Sequence, residues 1–547
     1  MSDVKRGYAD LHEHLEALRR QGLLVTVDRP IDKDAELHPL VRWQFVGGMP
    51  EADRKAFLFT NVVDGRGRGY SIPVVVGAIA ANRAIYSTGM GVPLPDIQAR
   101  WDHAIANPIA PRIVETAVCH EVVIEGAALR SEGNGLDALP IPISTPGFDS
   151  APTLTATNVI TRDPVTGVQN MGTYRAALKA PDRLVVRMAT RVGGAGGYLH
   201  YLEHQKRGDT TMPCAIVLGC PPAVAFMGPQ KLPIGVDEIG VAGGLAGSPI
   251  NVVRARTVDL LVPAESEVVI EGLIDTEFVE PEAPFGESHG HVALEEFNMP
   301  MRVTAITRRR DAVIPSYISQ VAPSESSVIK RVAYEPLFLA HLRDALGIRG
   351  VKRVALHEPL TGLLRVLVVI LAKGTPRTEV WRALYGAAFF KGDCGKVTIA
   401  VNEDIDPDNA DALLWAMAYR MDPVEGVRTL PHRGQGHGPK REHGGDEDST
   451  LLMDATMKGD LPPLALPKRE YMERAKRIWD ELGLPALRPQ PPWFGYSLGD
   501  WLPQWDEAAR RAVEGRYLEN GRISEAQRRK GVKPETKFRP EARKAEP

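Results

Sequence analysis

The chain has 547 residues, of which 44% are hydrophobic and 25% charged, proportions typical of a globular protein with more than one core. Its 66 Lys and Arg nearly balance 69 Asp and Glu, and this net charge of −3 argues against nucleic acid as a partner. The longest apolar run, 363–372, is too short to span a membrane and contains Arg365. No apolar signal-peptide core stands at residues 1–22, and the four cysteines form no CxxC pair. We therefore expect a cytoplasmic protein with no membrane partner.

The first 120 residues predict a small α/β segment. Leu11, Leu15 and Leu18 recur at helical spacing, and Gly22 follows where a helix would end. A strand is predicted at 23–32, and after it apolar strands at 57–63 and 72–80 precede a helix at 96–107. This alternation is typical of an α/β unit, which we place at residues 1–120.

Residues 121–322 are rich in β-structure. A hairpin is predicted at 154–178, with its turn at Asp163–Gly167, because Asp, Pro and Gly together favour tight turns. Further strands are predicted at 213–220, 250–263, 267–275 and 300–309. So many strands close together indicate a barrel or a sandwich.

A linker helix at 323–345 leads to a second α/β unit at 346–450. Its strands are predicted at 351–357, 363–372 and 396–406, and its helices at 378–389 and 409–421. The glycine-rich segment 430–450 predicts a mobile loop; the alternative is a metal site at three of its side chains, His432, His437 and His443.

Residues 451–547 form a C-terminal helical extension and a basic tail. Within it, 521–547 carries nine Lys and Arg against four Glu. We expect this part to be disordered or to act as an interaction arm.

The stretch 280–290, EPEAPFGESHG, carries two glutamates around a predicted turn at Pro284-Phe285-Gly286. A glutamate that can be protonated near neutral pH donates protons well, and one beside an arginine stays ionised. Glu282 and Glu287 therefore suit acid–base chemistry if the turn folds them toward one pocket. The alternative is a solvated turn with two surface glutamates, and His289 has no assigned role.

Two other stretches contain polar residues in apolar surroundings. Asn170 and Arg175 lie on the return strand of the hairpin, five positions apart, so a regular strand would point them to opposite faces. Arg175 precedes an apolar run and is expected to be partly buried with a carboxylate partner; the alternative is an arginine that snorkels to solvent.

Glu238 lies in the glycine-rich stretch 229–250, where a carboxylate needs a cation or several donors, and Lys231 is suited to an anion such as phosphate. For Gly240, Gly243, Gly244 and Gly247 the alternative is a flexible loop, and they do not form the GxGxxG fingerprint of a dinucleotide site. GxxxxGK[ST] and HExxH are absent from the sequence.

Together the three stretches resemble the UbiD-type (de)carboxylases, which use prenylated FMN. The pattern of that family appears here as QNMGTYR, IGVDEIG and PEAPFGESHG, and the resemblance extends over about residues 10 to 460. It implies an α/β (α+β) fold: a central flavin-reductase-like split β-barrel between the N-terminal α/β segment and a C-terminal α/β oligomerisation domain.

The resemblance also implies roles for individual residues. The catalytic residues would be Arg175, Glu282 and Glu287, with Glu287 as the proton donor and Glu282 held by Arg175. Asn170 and Glu238 would bind a divalent metal (Mn, Fe or Mg), with K⁺ as a further ion and the third ligand open. The implied cofactor-binding residues are Asn170, Met171, Gly172, Arg175, Arg191, Lys231 and Glu238.

The sequence departs from the family's pattern at two positions. Arg191 lies near the place where relatives have a histidine ligand; His200 or His204 would have to substitute for it, or Arg191 would replace the metal bridge to the flavin phosphate. Thr450 stands where relatives have a phosphate-contacting lysine, and Lys231 or Lys458 would have to compensate.

The function implied by the resemblance is that of a carboxy-lyase. It would decarboxylate an aromatic or α,β-unsaturated acid, or an aryl-CoA thioester such as phthaloyl-CoA, reversibly and without oxidation, through a covalent adduct with prenylated FMN. A flavin prenyltransferase would supply the cofactor, and the chain would form a homo-oligomer, a dimer or a hexamer. The alternatives are a catalytically silent scaffold or cofactor-binding relative and an ordinary FMN oxidoreductase.

Overall fold

The computed structural model shows a mixed α/β protein. It describes residues 8–131, 133–188, 195–230, 232, 235–282, 284–288, 290–293, 296–358, 364–391, 395–434, 447–459, 466–487 and 503–533.

The N-terminal segment contains the predicted helix, which begins after an N-cap aspartate, Asp10, whose side chain accepts from the Glu13 N–H, and ends just before Gly22 at φ +69°. A four-stranded sheet follows, with strands in the order 24–27, 56–59, 74–76 and 314–316, so this segment takes one strand from much later in the chain. The elements are α1 (Leu11–Arg20), β1 (Leu24–Val27), β2 (Ile31–Asp32), α2 (Leu37–Val46), β3 (Ala56–Phe59), β4 (Val62–Val63), β5 (Gly69–Tyr70), β6 (Val74–Val76), α3 (Arg83–Met90), α4 (Ile97–Ala106) and β7 (Arg112–Ile113).

The middle region contains most of the strands. Its elements are β8 (Val122–Glu125), β9 (Thr153–Leu154), β10 (Thr157–Arg162), β11 (Gln169–Gly172), β12 (Ala176–Ala180), β13 (Arg183–Val186), α5 (Gly196–Arg207), β14 (Thr211–Leu218), α6 (Pro222–Ala225), α7 (Glu238–Ala246), β15 (Asn251–Arg254), β16 (Leu261–Pro263), β17 (Val268–Asp275), β18 (Glu280–Pro281), β19 (Phe285–Gly286), β20 (Val292–Ala293), β21 (Phe297–Arg308) and β22 (Ile314–Ser316).

One large sheet organises this region, and the described residues contribute ten strands to it. Its path runs β11-β10-β14-β17-β21-β13-β12-β9, with β8 and β18 also paired to β21. The predicted hairpin is confirmed: β10 and β11 are antiparallel, and the Asp163 side chain accepts from the Val165 N–H at 2.7 Å within the turn. Alternate residues of β14 enter two different cores, Ile216 on one face and Val217 on the other, so both faces of the sheet are buried.

The glycine-rich stretch at 240–247, for which a flexible loop was the alternative, is not a loop. It forms the helix α7, every residue of which is buried. A Cβ added to Gly243 would stand 2.5 Å from the backbone oxygen of Ile109, and one added to Gly244 would stand 2.8 Å from that of Ala104. The glycines therefore let α7 pack directly on the backbone that follows and ends α4, and this packing outweighs their poor helix propensity.

The C-terminal part contains a five-stranded sheet with strands in the order 351–356, 366–371, 397–402, 447–454 and 427–434. The strand 397–402 is parallel to both of its neighbours. Val369 faces the core shared with α8 and α9, whereas Val368 faces α10, so burial on both sides explains the continuous apolar run of β24. The elements are α8 (Glu325–Ala340), β23 (Val351–Leu356), β24 (Val366–Leu371), α9 (Arg377–Phe390), β25 (Val397–Asn402), α10 (Ala410–Arg420), β26 (Val427–Gly434) and β27 (Glu447–Asp454).

The ends of the predicted mobile loop at 430–450 are strands, since β26 and β27 enter it from both sides and pair with each other. Its His432 is exposed and contacts Glu447 at 3.1 Å, whereas His437 and His443 lie outside the described residues. Beyond the sheet, the described residues form the helices α11 (Arg469–Glu481), α12 (Pro503–Val513) and α13 (Tyr517–Ala526). Part of the predicted basic tail is thus helical, and 534–547 lie outside the described residues.

Candidate active site

Arg175 lies between the two glutamates of the stretch 280–290 and binds both of them. Its Nε donates to Glu282 Oε1 at 2.6 Å and its Nη2 donates to Glu282 Oε2 at 3.0 Å, so this pair is bidentate. Its Nη1 donates to Glu287 Oε1 at 2.5 Å. Three residues that the sequence singled out therefore form one charged cluster.

Short strands bring these side chains together. Arg175 directly precedes β12, and Glu282 directly follows β18, which pairs with the start of β21 in the same large sheet. Glu287 follows β19, which pairs with β20 in a separate two-stranded ribbon. The two glutamates thus come from different sheets, and this is why residues five positions apart reach one guanidinium.

The turn of this stretch lies later than the sequence predicted. Phe285 and Gly286 form β19, and the reversal follows at Glu287–His291, where the Glu287 N–H donates to His291 O at 2.9 Å and the Gly290 N–H donates to Glu287 O at 3.0 Å. The predicted turn position at Pro284-Phe285-Gly286 is therefore wrong.

Three further side chains fix the cluster. Asn298 donates from Nδ2 to Glu282 Oε2 at 3.2 Å, and Lys179 donates from Nζ to Pro281 O at 2.9 Å and also to Glu282 O. The ring centroid of Phe285 lies 4.5 Å from the Arg175 guanidinium carbon, within the range of a cation–π contact. Sequence inspection did not find these contacts, since they join residues more than 100 positions apart or depend on the strand pairing.

A second arginine, Arg187, joins the cluster and was missed by the sequence analysis. Its Nη1 contacts Glu287 Oε1 at 2.9 Å, its Nη2 contacts Glu296 Oε2 at 3.5 Å, and its Nε lies 4.0 Å from Glu282 Oε2. One signal was available: Arg187 directly follows the apolar strand β13, and an arginine at the end of a buried strand needs an acceptor.

The cluster is shielded from water. Side-chain exposure is 11% for Arg175, 2% for Glu282 and 10% for Glu287. Burial alone would lower the pKa of Arg175, but hydrogen bonding to Glu282 and the charges of both glutamates raise it above its ordinary value. Arg175 is therefore a permanent cation, and both oxygens of Glu282 accept hydrogen bonds, from Arg175 and from Asn298.

A second group of polar residues lies around β11 and the start of α7. The Met171 N–H donates to Glu238 Oε2 at 3.1 Å, and the Asn170 amide lies 3.3 Å from Glu238 Oε1. Burial raises the pKa of Glu238 to about 7, although its bond from the Met171 N–H acts in the opposite direction. It is the amide nitrogen of Asn170 that faces Glu238 Oε1. A buried carboxylate next to an asparagine side chain nevertheless offers the kinds of oxygen that suit a divalent cation.

The two histidines considered as third ligands have other partners. His200 Nδ1 lies 2.9 Å from Thr161 Oγ1, and His204 Nδ1 lies 2.8 Å from Asp209 Oδ2. The described residues contain no group of three or more His, Cys, Asp or Glu arranged to hold a metal ion. Other sequence-predicted residues lie outside the described residues, namely Arg191, Lys231 and His289.

The remaining predicted cofactor contacts lie near the same group. Met171 is buried, and a Cβ added to Gly172 would stand 2.4 Å from the Tyr174 ring, so the backbone is closely packed there.

At the other departure from the family's pattern, Thr450 is buried and accepts from Arg433 Nε at 3.3 Å. Lys458 is bound within its own loop, with Nζ 2.8 Å from Asp454 Oδ1 and 2.9 Å from Thr456 O.

Two family models match most of the chain. The 3-octaprenyl-4-hydroxybenzoate carboxy-lyase Rift-related domain matches residues 112–321, and the C-terminal domain of the same carboxy-lyase matches 328–455. The chain belongs to the UbiD family. It is accordingly a carboxy-lyase, and the first match includes both the charged cluster and the Asn170–Glu238 group.

Solved UbiD-class structures agree with this assignment. HmfF from Pelotomaculum thermopropionicum in complex with FMN is 28% identical, with a TM-score of 0.72, over 83% of this chain and 95% of HmfF. An evolved dimeric form of HmfF in complex with prFMN is 27% identical, with a TM-score of 0.71, over 84% and 97%. The 3,4-dihydroxybenzoic acid decarboxylase from Enterobacter cloacae is 22% identical, with a TM-score of 0.70, over 86% and 100%, and shows the shared fold.

The described part of this UbiD-family protein has no helix that combines the length and hydropathy of a membrane span.

Proposed function

We propose that the protein catalyses the reversible, non-oxidative decarboxylation of an aromatic or α,β-unsaturated carboxylic acid with the help of prenylated FMN. The observation that carries this proposal is the buried Arg175, bound to Glu282 through two nitrogens and to Glu287 through the third. Decarboxylation leaves electrons on the carbon that lost CO2, and that carbon must then receive a proton from a nearby acid.

The two glutamates have different roles in this proposal. Glu282 receives two bonds from Arg175 and one from Asn298, so its charge is fully compensated and it orients the guanidinium. Glu287 is the more exposed of the two side chains, 10% against 2%, and it begins a turn rather than lying against the large sheet. Glu287 is therefore the residue that carries the proton to and from the substrate carbon.

The residues present fit the cofactor's phosphate end in part. The buried Glu238 has its pKa raised to about 7 by burial, which is the state expected of a carboxylate that a cation would neutralise, and the Asn170 amide lies beside it. These two would hold a divalent metal (Mn, Fe or Mg), with K⁺ as a further ion, and Met171, Gly172 and Arg175 would contact the flavin. When bound, prenylated FMN supplies an electrophilic ring and accepts the electrons of the breaking bond. The bound FMN and prFMN of the two HmfF structures support this cofactor.

The large sheet supports a split β-barrel as the cofactor domain, although the pairing among the described residues leaves β11 and β9 at the two ends of an open path. We propose the domain layout of the sequence analysis, with one change. The C-terminal α/β unit ends after β27, because this strand runs to Asp454 and pairs with β25.

A dimeric HmfF supports a homo-oligomer for this chain, and a flavin prenyltransferase is the proposed cofactor supplier.

The substrate is proposed as a class. The charged cluster suits any acid whose carboxylate is conjugated to a ring or a double bond, and an aryl-CoA thioester such as phthaloyl-CoA stays within that class. The silent-scaffold alternative has less support, since a buried cluster of ions costs solvation energy that a scaffold has no reason to retain.

The test is the release of CO2 by protein co-produced with a flavin prenyltransferase. Free aryl acids, acrylic acids and their CoA esters are incubated with the purified protein, and CO2 and the absorption spectrum are recorded. The proposal expects a prenylated-flavin spectrum and CO2 from at least one acid. Flavin-free protein that releases no CO2 supports the scaffold, and plain FMN with hydride transfer supports an oxidoreductase.

A further inference from the structure

Arg187 donates to the same oxygen of Glu287 that Arg175 binds, and so brings a second positive charge next to it. Glu287 Oε1 lies 2.5 Å from Arg175 Nη1 and 2.9 Å from Arg187 Nη1. The two arginines come from neighbouring antiparallel strands, one just before β12 and the other just after β13, and the Arg187 N–H donates to Arg175 O at 3.0 Å. The backbone therefore fixes the spacing of the two guanidinium groups.

The position of Arg187 differs from that of Arg175. Its side chain is 21% exposed against 11%, and it extends from the buried pair toward Glu296, which is 36% exposed. Arg175 binds Glu282 through two of its nitrogens, whereas the Nε of Arg187 lies 4.0 Å from Glu282 Oε2. Arg187 thus acts mainly on Glu287 and divides its charge between that residue and Glu296.

We propose that Arg187 is a further positioning residue of this carboxy-lyase: it orients Glu287 and lowers its affinity for the proton that it carries, so that this proton passes readily to the carbon that has lost CO2, and Glu296 sets the strength of the effect. The inference rests on the proposed function, because it deepens the role of Glu287 as the proton carrier. Two N–H donors on Oε1 leave that oxygen unfavourable for a proton, so the transferable proton sits on Oε2. With only one arginine bound to Glu287, the preference of the proton for Oε2 over Oε1 would be weaker.

Other charged groups face Glu287 or its partners and act on the same equilibrium. Glu282 and Glu296 are anions that oppose its ionisation, and both are paired with the arginines. Asp149 lies on the side of β19; burial raises its pKa, and hydrogen bonds and the charge of Arg175 partly offset this shift. His291 accepts from the Glu287 N–H through its backbone oxygen. Apart from Glu287 itself, the charges of Arg175 and Arg187 balance those of Glu282 and Glu296, so the removal of Arg187 leaves Glu287 in net negative surroundings.

The first experiment compares the pH dependence of kcat in the prenylated-FMN holoenzyme and in Arg187→Met. Loss of one cation within 4 Å should move the pH at which Glu287 takes up its proton upward by roughly one unit, the lower end of what an opposite charge does to a carboxyl group. Arg187→Lys should restore most of the wild-type profile, since it keeps the charge but not the fork geometry. Glu296→Gln should move the profile in the opposite direction, because it leaves Arg187 entirely to Glu287.

Arg183→Met is the matched control. Arg183 begins the same strand β13, four residues earlier, and pairs at 2.9 Å with Glu280, but its side chain is 48% exposed. Its loss should leave the profile unchanged. An Arg187→Met profile that coincides with that of the wild type, or a Glu296→Gln shift in the same direction as that of Arg187→Met, would overturn the proposal.

A second measurement needs neither cofactor nor substrate. A carboxylate held ionised in the folded state stabilises the protein above the ordinary carboxyl pKa, about 4.3, and this stabilisation is lost as the pH falls. The Tm difference between wild type and Arg187→Met should therefore be larger at pH 7.5 than at pH 4.5, and the difference for Arg183→Met should be small at both. A difference independent of pH would mean that Arg187 only packs. If no acid is decarboxylated, the proposed function fails, and this measurement still decides whether Arg187 holds the charge.

Discussion

Replacement of Arg175 by methionine removes the centre of the charged cluster. The variant loses three charge-assisted hydrogen bonds, of 2.5, 2.6 and 3.0 Å, and leaves Glu282, 2% exposed, with Asn298 as its closest described donor. Removal of one partner from a buried ion pair costs about 3–5 kcal/mol. We take about 3 kcal/mol, since Arg187 still lies 2.9 Å from Glu287.

The assay is thermal unfolding of the cofactor-free protein, followed by near-UV circular dichroism. For a domain of 150–250 residues, about 3 kcal/mol lowers Tm by roughly 6–12 °C. Arg183→Met removes an exposed pair instead, worth about 0–1 kcal/mol, and should lower Tm by no more than about 4 °C. The holoenzyme form of Arg175→Met should also release no CO2. An Arg175→Met protein with a Tm within about 2 °C of the wild type, or with CO2 release intact, would refute this account of the cluster.

Four further predictions concern other parts of the molecule. Lys179→Met should lower kcat about tenfold with little change in Tm. Lys179 Nζ binds the backbone at Pro281 and Glu282, and a small displacement there would misplace the Glu282 carboxylate. An unchanged kcat would contradict this. Gly243→Ala should lower the free energy of unfolding by about 1–3 kcal/mol, since its Cβ would meet a backbone oxygen at 2.5 Å. Gly240→Ala should be tolerated, because the nearest atom to its Cβ would be 3.5 Å away. Equal losses of Tm in the two variants would contradict this. Burial raises the pKa of Glu325 to about 8, so the folded state binds the Glu325 proton more tightly than the unfolded state does. The folded state therefore loses stability as the pH rises from about 4.3 toward 8. Glu325→Gln should raise Tm at pH 8.5 but not at pH 5, and no gain at pH 8.5 would contradict this. Glu238→Ala should lower the manganese bound per chain by elemental analysis, and an unchanged metal content would exclude Glu238 as a ligand.

Local patterns in the sequence were enough for the first helix, the β10–β11 hairpin and the C-terminal alternation of strands and helices. Each depends on a signal within one element: leucines at helical spacing, an Asp-Pro-x-x-Gly turn, or apolar runs of strand length. The charged cluster was predicted in part, since Arg175, Glu282 and Glu287 were singled out and a carboxylate partner was expected for Arg175.

Other features depend on contacts that no local pattern shows. The stretch 240–247 is poor in helix-forming residues, and it is helical because Gly243 and Gly244 allow close approach to the backbone around α4. Arg187 reaches Glu287 across 100 positions of chain, and the turn at Glu287–His291 follows from the pairing of β19 with β20. Long-range strand pairing therefore decides which charges meet, and the sequence alone could give only their residue types.

The most direct test of the central claim is the fate of the proton that replaces CO2. Wild-type holoenzyme and Glu287→Gln are incubated in D2O with an acid that the wild type decarboxylates, and the product is analysed by mass spectrometry over time. We predict one deuterium at the carbon that lost CO2 for the wild type, and no deuterated product above background for Glu287→Gln. Deuterated product formed by Glu287→Gln at the wild-type rate would contradict it.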